Sequence, residues 1–149
     1  MKQIEEISKG TNYTAVSVGK MSELVDHVLK LAPGVEIPGK VFVGDALDTT
    51  GAEISFQTFA PNQEVGFLHT HKVHEELYLF IKGSGEFQAD GKVFPVSEGS
   101  VVRVAPEAKR TVRNTGDENL VMICVQYKAA TFTEQDRTDG NILQEKVEW

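Results

Sequence analysis

The chain has 149 residues, of which 25% are charged and 40% are hydrophobic, and its formal net charge is −7. A chain of this length suits a single domain, here 1–149, that buries roughly 70% of the surface its unfolded form would expose. An acidic chain without a cluster of Lys and Arg repels phosphate groups. Nucleic acid and membranes are therefore not expected partners.

The N-terminal residues, MKQIEEISKGTNYT, contain no apolar stretch typical of a secretory signal. No apolar run approaches the roughly 18 residues that a transmembrane helix needs. The single cysteine, Cys124, cannot form an internal disulfide, which suits a reducing compartment. We therefore expect a cytoplasmic protein in which Cys124 is a small buried side chain.

The N-terminal segment, 1–51, is expected to contribute strands and one helix. The helix is predicted over Ser22 to Leu31, SELVDHVLKL, with Ser22 as its N-cap and Pro33 just beyond its end. Its apolar residues fall on one stripe of a helix: Leu24, Val25, Val28 and Leu29. The polar face would carry His27, which we expect to be solvated.

From about residue 40 onward, short apolar runs alternate with turn residues, a pattern typical of an all-β sandwich or barrel. The strands are predicted in KVFVG, AEISFQTFA, VGFLHTH, EELYLFI, GEFQA, KVFPV, SVVRVA, RTVRN and NLVMICVQY. Asp90 and Gly91 favour a two-residue hairpin, because both residues tolerate positive φ. The tail, 128–149, is charged and weakly patterned, and we expect it to lie against the domain or a partner subunit.

The stretch HTHKVHEELYLFIKG concentrates residues that bind metals. Alternate residues of a strand point to one face, so His69 and His71 would present two imidazoles side by side. After a four-residue turn, Glu76 opens the next strand and can bring its carboxylate to the same face. Two imidazoles and one carboxylate with open coordination positions are typical of non-haem iron sites, although Mn, Ni, Cu and Zn accept the same ligands.

The residues that share a face with these ligands are aromatic: Phe67, Tyr78 and Phe80. They predict a mainly aromatic pocket that binds a small molecule. Gln126 or Tyr127 on the last strand can also reach this face. The opposite face of the same strand is aliphatic, with Leu77, Leu79 and Ile81. A second sheet or a subunit interface must cover it, and we expect a homodimer.

The alternative interpretation is a polar hairpin in which His69 and His71 point to water and Glu76 is a charge at a strand edge. Against it, Glu76 lies beside LYLFI, where an unpaired carboxylate would be costly to bury. His74 and Glu75 are expected to be turn residues rather than ligands.

The same stretch resembles the first motif of the cupin superfamily. That motif runs Gly, five residues, His-x-His, three or four residues, Glu, six residues and Gly. The sequence matches it from His69 through His71 and Glu76 to Gly83, while Gln63 stands in place of the opening Gly.

The second cupin motif runs Gly, several residues, Pro-x-Gly, two residues, His, three residues and Asn. GSVVRVAPEAKRTVRNTGDE is similar to it at Gly99, Pro106 and Asn114, with Ala108 in place of the Gly. Arg110 stands where the family's fourth ligand, a histidine, would stand.

The resemblance covers about 52–127 and implies a double-stranded β-helix, an antiparallel barrel of two sheets. Arginine stays protonated and cannot ligate a metal, which leaves several outcomes open. The ion could be held by three ligands alone, Arg110 could bind an anionic group of the substrate, or Arg110 could pair with Glu76 and replace the metal. Arg110 could also point outward into solvent.

For function, the resemblance implies a small metal-binding cupin. We expect a metal-dependent oxygenase that acts on a small organic acid or polar metabolite, with a divalent Fe, Mn, Ni or Zn ion. The substrate-binding candidates are Arg110, Tyr78, Phe67 and Phe80. One alternative is a sugar or keto-acid isomerase in which His74 or Tyr78 moves a proton, and another is a non-catalytic binding or sensing module.

Overall fold

The computed structural model describes all residues, 1–149, and is built mainly of strands. The strands are β1 (Glu5–Lys9), β2 (Thr14–Ser17), β3 (Val28–Ala32), β4 (Val35–Pro38), β5 (Lys40–Phe42), β6 (Ala52–Phe59), β7 (His74–Lys82), β8 (Ser84–Ala89), β9 (Lys92–Ser97), β10 (Val101–Val104), β11 (Arg110–Asn114) and β12 (Leu120–Lys128). The helical segments are the 3₁₀ helices Met21–Asp26 and Gln135–Thr138 and one α-helical turn, Gly44–Leu47.

Two antiparallel sheets form the barrel. The larger has the order β10-β7-β12-β6-β5, and the smaller has the order β11-β8-β9. Strand β7 shows why the sheets face each other, because its buried residues are Glu76, Tyr78 and Phe80, whereas Leu77 and Leu79 between them are half-buried. The all-β barrel implied by the sequence is therefore confirmed.

The core lies between the two sheets and is rich in aromatic rings. Phe87 of β8 is fully buried and contacts rings from both sheets. Its ring centroid lies 4.9 Å from that of Tyr78, 6.5 Å from that of Phe80 and 5.7 Å from that of Phe94. Tyr78 and Phe87 of this aromatic cluster also line a cavity in the barrel interior.

The hairpin predicted at Asp90-Gly91 joins β8 to β9. Both residues have positive φ, 48° and 80°, as a two-residue turn of this kind requires. Ala89 pairs with Lys92 directly across the turn. Local turn chemistry was therefore sufficient to predict this connection.

The prediction of a helix over Ser22 to Leu31 was wrong beyond Asp26. Only Met21–Asp26 is helical, as a 3₁₀ helix, and the backbone of His27 is already extended. Residues Val28–Ala32 form β3, which pairs with β4 across a turn where Gly34 has a φ of 77°. The apolar spacing suited a helix, but strand pairing provides hydrogen-bond partners for the same backbone.

The expectation that His27 is solvated was also wrong, because the residue is only 2% exposed. Its Nε2 lies 2.9 Å from the carbonyl oxygen of Val18, and its own carbonyl accepts a hydrogen bond from the Gly39 amide at 2.7 Å. His27 therefore contacts Val18 through its imidazole and Gly39, just before β5, through its backbone carbonyl.

Residues predicted as the strand VGFLHTH form only isolated bridges. His69 pairs with Arg110 and Glu64 pairs with Arg113, so the segment runs beside β11 without a continuous ladder. Conversely, His74 and Glu75 were expected in a turn but are the first residues of β7.

The N-terminal segment covers part of the outer face of the larger sheet. Val18, Leu24 and Val43 form a second buried cluster with Val121 of β12, and Ile81 packs against it. No helix of the protein is long and apolar enough to cross a membrane. The tail from residue 130 to residue 149 is exposed throughout.

Candidate metal centre and ligand cavity

Glu76 is placed by the two strands that flank β7. It pairs with Val104 of β10 and Gln126 of β12, and its side chain points into the barrel, where the residue is only 6% exposed. Because β7 has a hydrogen-bonded strand on each side, the backbone of Glu76 is held in place and so is the position of its carboxylate.

His69 and His71 are held by backbone hydrogen bonds rather than by a continuous strand. The His69 amide donates to the Arg110 carbonyl at 3.4 Å, and the Arg110 amide donates to the His69 carbonyl at 3.2 Å. The His71 amide donates to the Pro106 carbonyl at 2.8 Å. Both imidazoles face the same side, with ring centroids 5.5 Å apart.

The three ligand candidates converge on one point. Nε2 of His71 lies 3.2 Å from Oε1 of Glu76, and Nε2 of His69 lies 3.8 Å from Oε2. One ligand atom from each residue can be chosen so that all lie within 4.8 Å of one another. The structure thus brings together the residues that strand spacing singled out.

The donor set suits a divalent transition metal in its chemistry. Burial lowers the pKa of His71 and outweighs the opposing effect of Glu76, so the imidazole stays in the neutral form that can ligate. Nε2 of His69, and not the buried Nδ1, is the ring nitrogen that faces Glu76. Two imidazoles and one carboxylate are a donor set that divalent Fe, Mn, Ni and Zn accept.

Arg110 lies behind Glu76 and is fully buried. Its Nε and Nη2 donate to Glu76 Oε2 at 2.9 and 2.6 Å. Its Nη1 donates to the carbonyl oxygens of Pro106 and Ala108 at 3.2 and 3.0 Å. The sequence left several directions open for Arg110, and the structure shows the one in which it forms an ion pair with Glu76.

This geometry corrects the expectation that Arg110 anchors an anionic substrate. The guanidinium is not among the groups that line the cavity, and each of its three nitrogens already donates to a protein oxygen. The physical reason is that Arg110 points into the barrel, as Val112 and Asn114 do, and meets the Glu76 carboxylate of β7 there.

Tyr78 and Cys124 complete the contacts of the Glu76 carboxylate. The Tyr78 hydroxyl donates to Oε2 at 2.5 Å, and the Cys124 thiol contacts Oε1 at 3.5 Å. Burial alone would raise the pKa of Glu76, but its polar contacts with His69, Tyr78 and Arg110 hold that pKa well below its usual range. Oε2 therefore has three donors, and Oε1 remains the oxygen with capacity for a metal.

A cavity of about 320 Å³ opens beside this cluster. Phe67 and Tyr78 line it together with the three ligand candidates. Phe80 does not, because it lies four residues beyond Glu76 along β7, where its ring is 1% exposed and packs on Phe87. Phe80 is therefore a core residue and not a lining residue of the cavity, contrary to the expectation that it binds substrate.

Other cavity residues were not singled out from the sequence, or were left undecided. Gln126, and not Tyr127, reaches the site, with its Nε2 3.1 Å from His71 Nδ1. Lys40 and Gln57 line the wall formed by β5 and β6. The alternation in KVF places Lys40 and Phe42 on one face, but that signal alone does not say which face is inside.

Comparison with known proteins agrees with the fold. The family model described as a Cupin domain matches residues 55–126. A cupin protein from Bacteroides fragilis with a solved structure is 31% identical, with a TM-score of 0.67, over 78% of this chain and 98% of that chain.

Two curated relatives match over shorter stretches. An uncharacterized protein of Methanocaldococcus jannaschii is 30% identical over 60 residues, and an oxalate-binding protein of Thermotoga maritima is 32% identical over 65 residues. These matches cover 40% and 44% of this chain. The chain spans about half the length of these two relatives, 48% and 53%.

Proposed function

Because this chain belongs to the cupin superfamily, we propose that it is a metal-dependent oxygenase that acts on a small organic acid. His69, His71 and Glu76 would hold a divalent transition metal ion. The observation that carries the proposal is the convergence of their ligand atoms, within 4.8 Å of one another, on the wall of a cavity of about 320 Å³.

A three-ligand site leaves coordination positions open. When bound, the ion would supply Lewis-acid chemistry and, if it is redox-active, a site for oxygen. The protein's own contribution is positional: Arg110 and Tyr78 hold Oε2 of Glu76, and Gln126 contacts His71. These contacts orient the ligands from behind, as outer partners of metal ligands generally do.

Arg110 has two opposing effects on metal affinity. It keeps Glu76 ionised and fixed, which favours a ligand carboxylate. Its positive charge also repels a cation held by the same carboxylate. We therefore propose a site of moderate affinity, weaker than a site with a fourth imidazole would be.

Two observations count against the isomerase alternative. The general bases considered for an isomerase were His74, which does not line the cavity, and Tyr78, whose hydroxyl already donates to Glu76. Burial, followed by the charges of Cys124 and Glu76, raises the pKa of Tyr78 far above its ordinary value, which opposes its use as a base. A relative named as an oxalate-binding protein supports a small organic acid as the ligand.

The test combines metal content with oxygen uptake. Purified protein is stripped of metal, reconstituted separately with Fe, Mn, Ni and Zn, and analysed for bound metal. We expect about one ion per chain for wild type and a marked loss for the His69→Ala/His71→Ala variant. His74→Ala is a matched control, because His74 does not line the cavity and is not a ligand candidate. Equal metal contents in wild type and the double variant would refute the site.

Iron-loaded protein is then given a panel of small organic acids while oxygen consumption is recorded. Substrate-dependent uptake, lost in the His69→Ala/His71→Ala variant, is the result that the proposal predicts. Uptake that is absent with every acid would refute the oxygenase assignment, even if metal is bound.

The second candidate is a metal-free binding protein, and the Arg110–Glu76 pair favours it. The carboxylate that would ligate the metal accepts both Nε and Nη2 of a buried guanidinium. In that case no divalent ion would bind on reconstitution, and ligand binding would be unchanged by chelators.

A further inference from the structure

Lys40 is the only lysine or arginine that lines the cavity, and it is half-buried. It forms no ion pair within 4.0 Å, in contrast to the lysines that do: Lys2, Lys9, Lys30 and Lys82. A partly buried ammonium group without a carboxylate partner is unfavourable unless something else offsets its charge.

The backbone fixes the direction of Lys40. On β5, Lys40 pairs with Gln57 and Phe42 pairs with Ser55, and all of these line the cavity. Val41 between them packs in the cluster on the opposite face of the sheet. The Lys40 Nζ lies 5.2 Å from the centroid of the Phe42 ring, which restricts the ammonium from one side.

Polar groups surround this position. Ser55 and Gln57 are 3% and 6% exposed and lie on the neighbouring strand β6. Thr58 and His69 each have a buried polar side-chain atom that lacks a hydrogen-bond partner, whereas Ser55 and Gln57 have none. A hydroxyl and an amide beside an unpaired ammonium form a wall that can bind an anion.

The candidate metal centre lies across the same cavity. In the larger sheet, β5 and β7 are separated by β6 and β12, so their backbones are roughly 14 Å apart at the usual strand spacing. Lys40 from β5 and Glu76 from β7 both point inward between these strands. A small molecule can therefore contact both ends.

We propose that Lys40, assisted by Gln57 and Ser55, binds a carboxylate group of the ligand and so acts as the anion anchor of the cavity. The placement of the ligand's reacting end at His69, His71 and Glu76 rests on the function proposed above, whereas carboxylate binding by Lys40 does not.

The charges favour a carboxylate over a phosphate. Glu53, Glu64 and Glu76 also line the cavity, and only Glu76 is paired with a buried arginine. One unpaired lysine in an otherwise acidic cavity can balance one negative charge, which is the charge of one carboxylate group, whereas a phosphate group carries between one and two near neutral pH. Burial lowers the pKa of Lys40, while the charges of Cys124 and Glu76 oppose this, which agrees with an ammonium that lacks a close partner.

The test compares carboxylates with their neutral amides. Oxalate, succinate and benzoate, the amides succinamide and benzamide, and inorganic phosphate are titrated into the protein while binding is followed by calorimetry. For wild type we expect at least one carboxylate to bind tenfold or more tightly than its amide. In Lys40→Met that preference should fall at least tenfold, with binding of the amide unchanged, and Lys40→Arg should recover part of it.

Lys82→Met is the matched control, because Lys82 is an exposed lysine that pairs with Glu118 outside the cavity. It should leave carboxylate binding unchanged. The proposal is overturned if no carboxylate binds, if Lys40→Met binds carboxylates as well as wild type, or if phosphate binds as tightly and with the same dependence on Lys40.

Metal content is measured on the same preparations. Lys40→Met should take up metal as wild type does, because Lys40 is not a ligand candidate. Carboxylate binding that depends on Lys40 in protein that takes up no metal would support the anchor and refute the metal centre. Metal uptake together with carboxylate binding that does not depend on Lys40 would refute the anchor alone.

Discussion

Glu76 is the residue on which the site depends, because the metal candidates and the buried guanidinium of Arg110 meet at its carboxylate. Removing one partner of a buried ion pair leaves the other charge uncompensated. We expect Arg110→Met to lower the free energy of unfolding by about 3 to 5 kcal/mol in urea denaturation.

The control for this prediction is Arg113→Met on the same strand. Arg113 pairs with Glu86 at 2.5 Å, but its side chain is 55% exposed. Solvent screens such a pair, so its loss should cost about 1 kcal/mol or less. If both variants lose the same stability, the burial of the Arg110–Glu76 pair is not what stabilises it.

The protonation of Glu76 gives a dependence of stability on pH. Its pKa in the folded protein is held below the usual range, so below the ordinary carboxyl pKa the unfolded chain binds more protons. Its contribution is therefore complete near neutral pH and is lost as the pH falls toward the folded pKa. Urea denaturation from pH 7 to pH 3 should show a stability difference between wild type and Glu76→Gln that shrinks with acid. A difference that stays constant would contradict this assignment.

Cys124 should be unreactive despite lining the cavity. Burial, followed by the charge of Glu76, raises the pKa of the thiol to about 12. The thiolate is the reactive form, so at pH 8 a disulfide reagent should react roughly a thousandfold more slowly with the folded, metal-free protein than with the urea-unfolded protein. Similar rates in the two states would show that the thiol is not buried beside a carboxylate.

At the scale of elements, turn chemistry was easier to read than apolar spacing. Asp90 and Gly91 predict their hairpin because few residues other than glycine tolerate a φ of 80°. The segment Ser22 to Leu31 carries apolar residues at helical intervals, yet its last four residues belong to β3. Its partner β4 is a short run beyond Pro33, and no residue within the segment indicates that pairing.

The turn itself can be tested. Gly91→Ala places a Cβ at a φ of 80° where no atom lies within 4 Å, so only backbone strain opposes it. We expect a loss of about 1 kcal/mol in the free energy of unfolding. Gly51→Ala, which also has open space and lacks a positive φ, should change stability by less than about 0.5 kcal/mol. Equal effects would argue against a strained turn.

The site was predictable only where its residues are close in sequence. His69, His71 and Glu76 lie within one motif, and their spacing was enough to group them. The direction of Arg110 depends on where β11 lies relative to β7, which strand parity cannot supply. Lys40 lies far earlier in the chain, and its place in the cavity follows from the pairing of β5 with β6.

At the scale of the whole molecule, the outer face of the larger sheet is apolar and only partly covered. Val101, Leu79, Ile123 and Phe56 lie in register across four adjacent strands. Val101 is 62% exposed. We propose that a second copy of the chain packs on this face, as the alternation of β7 already suggested.

Light scattering after gel filtration tests the dimer. Wild type should elute at twice the chain mass, and Val101→Glu should shift toward the monomer because it places a charge in the interface. Val93→Glu, on the other sheet and 47% exposed, should remain dimeric. A monomeric wild type would contradict the proposed interface.

The candidate metal centre consists of His69, His71 and Glu76, with Arg110 behind the carboxylate. Equilibrium titration of metal-free protein with Fe(II) or Mn(II) tests whether these residues bind an ion. We predict one site per chain in wild type, a weaker site in Glu76→Gln, and a tighter site in Arg110→His, because an imidazole adds a ligand and removes a positive charge. No binding in wild type, together with none in Arg110→His, would contradict the metal centre.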